Sequence, residues 1–246
     1  MNNAELTWVL LAVALAATLA GRILLARRRL FLRPIPAYQV LPAQAADAVE
    51  SSNRIHFSMG SSALGESSTL SALAAAEVIY RLSERLAVSR QTPLVTLSQP
   101  LTLPLAQDTL RRAYEFRQNM PHYRSSAAAW YPQGARSLTF AAGAASLAAD
   151  ANAHSNVMLG RFGVEMALLG ESALRHDQGV IAHSDLPEGQ AVAFVQAEQA
   201  LLSEELYVGP AYLNGSPLER GGVVALDVLR WLVILGIIVT AVQAAI

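Results

Sequence analysis

Cysteine and lysine are both absent from the 246 residues, so all 18 basic side chains are arginine. Without thiols the chain has no disulfide, no thiolate metal ligand and no cysteine nucleophile; without lysine it has no phosphate-gripping P-loop lysine and no Schiff base. Charge is scarce as well. Charged residues make up 15% against 53% hydrophobic, and the mean hydropathy is +0.32, a balance that excludes disorder and points toward a membrane. A net charge of −1 supplies no field for wrapping nucleic acid. His56, His122, His154, His176 and His183 show no HExxH or similar ligand spacing, so neither a metal nor another cofactor is expected.

Two apolar stretches bracket the chain. Leu6–Ala26 is apolar except for Arg22 and covers about 30 Å as a helix, the thickness of a hydrocarbon core. Glu5 precedes it and Arg27, Arg28, Arg29 and Arg33 follow, a charge order that fits a retained anchor rather than a cleaved signal peptide. Gly222–Ile246 reads as a second span. Because these arginines, with Arg220 and Arg230, lie toward the central region, the positive-inside rule predicts a two-pass protein of the cell membrane, its central domain cytoplasmic and both termini outside. Arg22 and Asp227 each lie about five residues inside the same membrane face, so they are candidates for an ion pair between the spans. The alternative has Arg22 snorkelling to the headgroups and Asp227 pairing with Arg230. The chain then divides into an anchor (1–30), a linker punctuated by Pro34, Pro36 and Pro42 (31–52), a cytoplasmic domain (53–216) and a C-terminal transmembrane helix (217–246).

The central region alternates two periods. Strand-length apolar runs occur at Ile55–Met59, Leu94–Ser98, Ala128–Tyr131, Asn156–Gly160 and Val180–Ser184. Helical spacing separates them: Leu70–Val88, with Leu70, Leu73, Ile79, Leu82 and Leu86 as the inward stripe and Glu77 paired with Arg81; a segment from Pro104 through Phe116; Leu138–Asp150; Val164–His176; and Glu188–Leu206. About five strands, each followed by a helix, predict an α/β fold: a Rossmann-like or flavodoxin-like doubly wound parallel sheet between the two membrane helices.

Ligands of such sheets bind beyond the carboxyl ends of the strands, where helix N-termini present free amides. The loops there hold Ser58, Gly60, Ser61, Ser62 and Gly65 after the first strand, Gln99 after the second, Arg161 and Gly163 after the fourth, and His183 and Asp185 after the fifth; these are the candidate ligand-binding residues. Gly60 and Gly65 have the spacing of a P-loop, but Glu66 stands where the phosphate-binding lysine belongs, which excludes a nucleotide triphosphatase. A Ser/Gly turn that only caps the helix is the plainer reading of this loop. Arg161 in Gly-Arg-Phe-Gly suits a carboxylate, because a guanidinium offers a planar fork of donors. His183 with Asp185 hints at a serine hydrolase, yet the chain has no GxSxG elbow and no residue is assigned as catalytic.

The segment RIHFSMGSSALGESSTLSALAAAEV (Arg54–Val78), the GRFGVE beginning at Gly160 and the EELYVGPAYL beginning at Glu204 resemble an uncharacterised family of prokaryotic membrane proteins with a domain of unknown function between flanking spans. The resemblance implies the same architecture and no particular activity. The leading expectation is a non-catalytic, membrane-anchored scaffold or assembly subunit, whose partners are the bilayer, copies of itself or other membrane-complex subunits. The alternative is a sensor or carrier that holds an anionic metabolite or nucleotide at the strand ends.

Overall fold

Strand-length runs and helical spacing alternate from residue 54 onward, and the computed structural model, which describes residues 3–26, 32–213 and 215–245, closes that alternation into one sheet. Its strands are β1 (Arg54–Gly60), β2 (Leu94–Leu97), β3 (Ala128–Trp130), β4 (Ala153–Arg161), β5 (Gly179–Ser184) and β6 (Gln199–Ala200). All are parallel, in the order β3-β2-β1-β4-β5-β6. Five strands match the sequence expectation. The sixth is two residues long, too short to carry a period of its own, and it ends the helix expected over Glu188–Leu206 early, at Gln196.

Crossover helices cover both faces. On one side α2 (Pro36–Glu50), α3 (Thr69–Leu86) and α4 (Leu103–Phe116) pack in sequence; on the other lie α5 (Leu138–Asp150), α6 (Met166–Arg175) and α7 (Pro187–Gln196). The second layer buries Phe140, Ala144, Met158, Phe162, Leu169 and Val180 in one cluster. In α3 the Glu77–Arg81 pair forms as expected, at 2.9 Å. Its inward stripe differs from expectation, because Leu70 and Leu73 are exposed while Ala72, Ala75, Ala76, Ile79, Leu82 and Leu86 are buried. Alanines occupy the inward positions of the first two turns, and only the later turns bury larger side chains.

The proline-containing segment is also corrected. Pro36 opens α2 instead of interrupting a linker, since a first-turn position needs no amide donor. Ala37, Tyr38, Leu41, Ala45 and Ala48 of α2 are buried, so the compact domain begins at Ile35 and runs to Gly209.

A polar chain crosses the sheet beneath α5. The Ser58 and Thr96 hydroxyls lie 3.0 Å apart, Thr96 Oγ1 is 2.8 Å from His56 Nε2, and His56 Nδ1 is 2.6 Å from Asn156 Oδ1. Asn156 Nδ2 then donates to Gln178 Oε1, and Gln178 Nε2 donates to the Ala148 carbonyl. A neutral His56 protonated on Nδ1 satisfies every link when the Thr96 hydroxyl donates to Nε2 and Ser58 donates to Thr96. Burial lowers the His56 pKa from 6.5 to about 4, against the raising effect of Asn156.

The chain termini form a second unit, Met1–Pro34 with Pro210–Ile246. Helix α1 (Asn3–Ala26) packs against α9 (Pro217–Ala245), while α8 (Gly209–Tyr212) is a single turn. Within α9, Pro217–Ile238 is long and apolar enough to cross a membrane. Among the described residues no second helix qualifies: the apolar part of α1, Leu10–Leu24, covers about 22 Å, short of a hydrocarbon core. One candidate span therefore replaces the two expected. Arg27, Arg28 and Arg29, on which the orientation expectation leaned, lie outside the described residues.

Nor does the expected membrane ion pair form. Arg22 and Asp227 are both exposed, and no ion pair joins them. The reason is register. Gly221, not Asp227, stands opposite Arg22, since a Cβ on Gly221 would meet the Thr18 carbonyl and the Arg22 amide, and one on Gly21 would lie 2.8 Å from Val224 Cβ. Asp227 follows Gly221 by six residues, about 9 Å or more than one turn along α9, which carries it past Arg22.

Candidate functional site

The turn after β1 spends its polar groups on its neighbours. Ser61 donates from its amide and its hydroxyl to the Arg161 carbonyl, at 2.8 and 3.0 Å. Ser62 Oγ accepts from the Arg161 amide at 2.9 Å, the Ser62 amide bonds Met59, and the Ala63 amide bonds Ser68 Oγ. Gly60 has φ +58°, and a side chain there would strike the Arg161 carbonyl, so glycine is required by both conformation and space. Gly160, with φ +144°, faces Ser62 Oγ in the same way. The β1 and β4 turns are thus stitched together at the point where the strand order reverses. A phosphate cradle needs free amides here, and those of Ser61, Ser62 and Ala63 are taken.

The same stitching holds the turn after β4. Phe162 is fully buried in the α5–α6 core, and Ser184 Oγ donates to the Phe162 carbonyl at 2.6 Å while accepting from the amides of Phe162 and Leu186. The Gly163 amide is capped by Glu165. Anchored at Phe162, Arg161 reaches Ser67 with one nitrogen, Nη1 to Oγ at 2.8 Å. Its other side-chain nitrogens have no protein partner among the described residues.

Beside this turn lies an open cleft of about 400 Å3 lined by Ser67, Arg161, His183, Asp185, Ser203 and Tyr207, together with Ser184 and Leu186. His183 is buried, and its Nε2 donates to the Ser203 carbonyl at 2.9 Å. That bond fixes the proton on Nε2, and Nδ1 is buried without a hydrogen-bond partner. Burial, outweighing the Ser203 carbonyl and the Asp185 charge, holds the His183 pKa below its ordinary value. Burial and then the neighbouring Asp185 carboxylate push the Tyr207 hydroxyl up. The wall formed by residues 203–207 is held by α2, whose Tyr38 hydroxyl donates to the Glu205 carbonyl at 2.7 Å.

Of the ten residues the sequence suggests for a ligand, Arg161, His183 and Asp185 line this cleft. Ser58 belongs to the buried polar chain, Gly60, Ser61 and Ser62 to the stitching, and Gly163 to the Glu165 cap. Gln99 precedes a short 3-10 turn after β2 without a side-chain cap bond, and Gly65, at φ +84°, stands in open space. Ser203 and Tyr207 were not legible, because an unbroken helix through Leu206 hides the return of the chain to the strand ends. The run Leu-Leu-Ser-Glu-Glu at 201–205, a capping sequence in mid-helix, is the signal that could have shown the break. No hydroxyl bonds a His183 nitrogen, and the Ser184 hydroxyl is turned to the Phe162 carbonyl, so the serine-hydrolase arrangement is not assembled. Among the described residues no three His, Asp or Glu side chains gather as metal ligands would.

Fold and cleft together define an α/β protein with the strand order of dinucleotide-binding sheets and a polar cleft at its carboxyl edge. A family model described as a domain of unknown function, DUF6754, matches residues 1–246, and the chain belongs to that family. No curated protein and no solved structure matches it.

Proposed function

We propose that the protein is a membrane-tethered binding module that holds a small anionic ligand at the carboxyl end of its parallel sheet. The observation that carries this reading is Arg161, which lines a cleft of about 400 Å3 with guanidinium donors left over after its bond to Ser67. A volume of that size lies within the roughly 300–1,000 Å3 of small-molecule sites, and a guanidinium on a braced turn is suited to a carboxylate or phosphate. The apolar stretch Pro217–Ile238 supplies the tether.

A scaffold or assembly role is the second reading. It is favoured by Phe194 and Val195, adjacent on α7 and exposed at 69% and 82%, an apolar step that a partner would cover. One experiment separates the two: thermal unfolding of the detergent-solubilised full chain against a panel of small carboxylates and phosphates, with particle mass measured in parallel. The binding reading expects at least one anion to raise Tm at millimolar concentration, and Arg161→Gln to abolish the rise. Indifference to every anion, with a multimeric particle that falls to a single chain on Phe194→Asp, would replace it with the scaffold.

A further inference from the structure

We propose that the ligand is a zwitterion of amino-acid size, whose carboxylate lies on Arg161 and whose protonated amine lies on Asp185. This rests on the binding reading above and adds the second charge.

Arg161 and Asp185 line the same cleft, yet they do not pair. Arg161 is engaged by the Ser67 hydroxyl, and among the described residues the Asp185 carboxylate has no cationic partner. Two opposite charges facing one small volume, each without a countercharge, are complementary to a ligand carrying both signs. A plain anion would gain from Arg161 and lose against Asp185. His183 directs its Nε2–H to the Ser203 carbonyl and its Nδ1 is buried, so neither ring nitrogen offers the ligand a donor. An ammonium brings a positive charge, three donors and no lone pair to the Asp185 carboxylate, whereas a hydroxyl brings one donor and lone pairs of its own. A dinucleotide fits less well. In sheets of this order the acid that holds the ribose follows the second strand, where Ser98 and Gln99 stand here, and the Ser61, Ser62 and Ala63 amides of the first turn are already bonded.

The test uses the full chain in detergent and measures binding of α-, β- and γ-amino acids against their N-acetyl and hydroxy-acid counterparts. At least one amino acid is expected to bind about tenfold or more tightly than either counterpart. Asp185→Asn, at an exposed site, should erase that preference while hydroxy-acid binding persists; Arg161→Gln should abolish binding of both. If amino and hydroxy acids bind alike and Asp185→Asn changes nothing, the zwitterion is wrong and the anion site stands. If no carboxylate binds and Arg161→Gln is indistinguishable from the parent chain, the binding reading itself falls.

Discussion

His56 shows how a single side chain can tie the stability of a sheet to pH. It is fully buried, it bridges Thr96 and Asn156, and its folded-state pKa of about 4 lies below the 6.5 of an unfolded histidine. Above pH 6.5 both states are neutral at this site and stability is at its full value. As pH falls from 6.5 toward 4 the unfolded chain takes the proton first, so stability is lost through that window, by about 3 kcal/mol from His56 alone. His183, also held low by burial, adds in the same direction. Urea unfolding at pH 7 and pH 4.5 should reveal the slope, and His56→Gln should reduce it to the share of His183. A slope unchanged in that variant would mean that His56 is already charged in the folded protein. Proximity in sequence plays no part in this chain of hydrogen bonds: its members lie on three strands and one turn, and Ser58 and Thr96 by themselves read as ordinary strand residues.

At the scale of elements, α2 makes the difference between a tether and a domain. A proline-punctuated linker would tolerate truncation of its apolar residues. Leu41, however, is fully buried, and Tyr38 of the same helix holds the residue 203–207 wall of the cleft. Leu41→Ala is therefore expected to destabilise the domain by about 2–5 kcal/mol, read as a fall in Tm, and to weaken ligand binding along with it. A Tm unchanged within about one degree would return the segment to the status of a linker. The short β6 and the one-residue-scale turns around it illustrate the same point. Two residues cannot show alternation, yet their pairing with Ile181 and Ala182 brings Ser203 and Tyr207 to the strand ends.

For the whole molecule, α1 and α9 pack as a pair, and the absence of cysteine makes that contact simple to test. Gly21 and Val224 face each other across it. Introducing Gly21→Cys together with Val224→Cys should give an intramolecular disulfide under mild oxidation, seen as a mobility shift reversed by reductant, because adjacent Cβ atoms at this separation need only a small adjustment to reach bonding geometry. Failure to cross-link, with both thiols accessible to alkylation, would show that the antiparallel pair is not the resting arrangement.

Much of this architecture was written in local pattern. Alternating runs such as Ile55–Met59 and Val180–Ser184, the i,i+4 pair Glu77–Arg81 and the first-turn prolines specify their elements through interactions within a few residues, so five strands, the intervening helices and the parallel class follow from the sequence itself. That Arg161, His183 and Asp185 stand at the carboxyl ends of strands was legible because strand ends and turns are local features. Three things were not: which serines line a cleft and which stitch two turns together, which face of α3 lies inward, and how α1 and α9 are offset along one another. Each is decided by a neighbour distant in the chain, such as the Arg161 carbonyl beside Ser61 or Gly221 beside Arg22. Only the folded structure brings such neighbours within hydrogen-bonding or van der Waals reach.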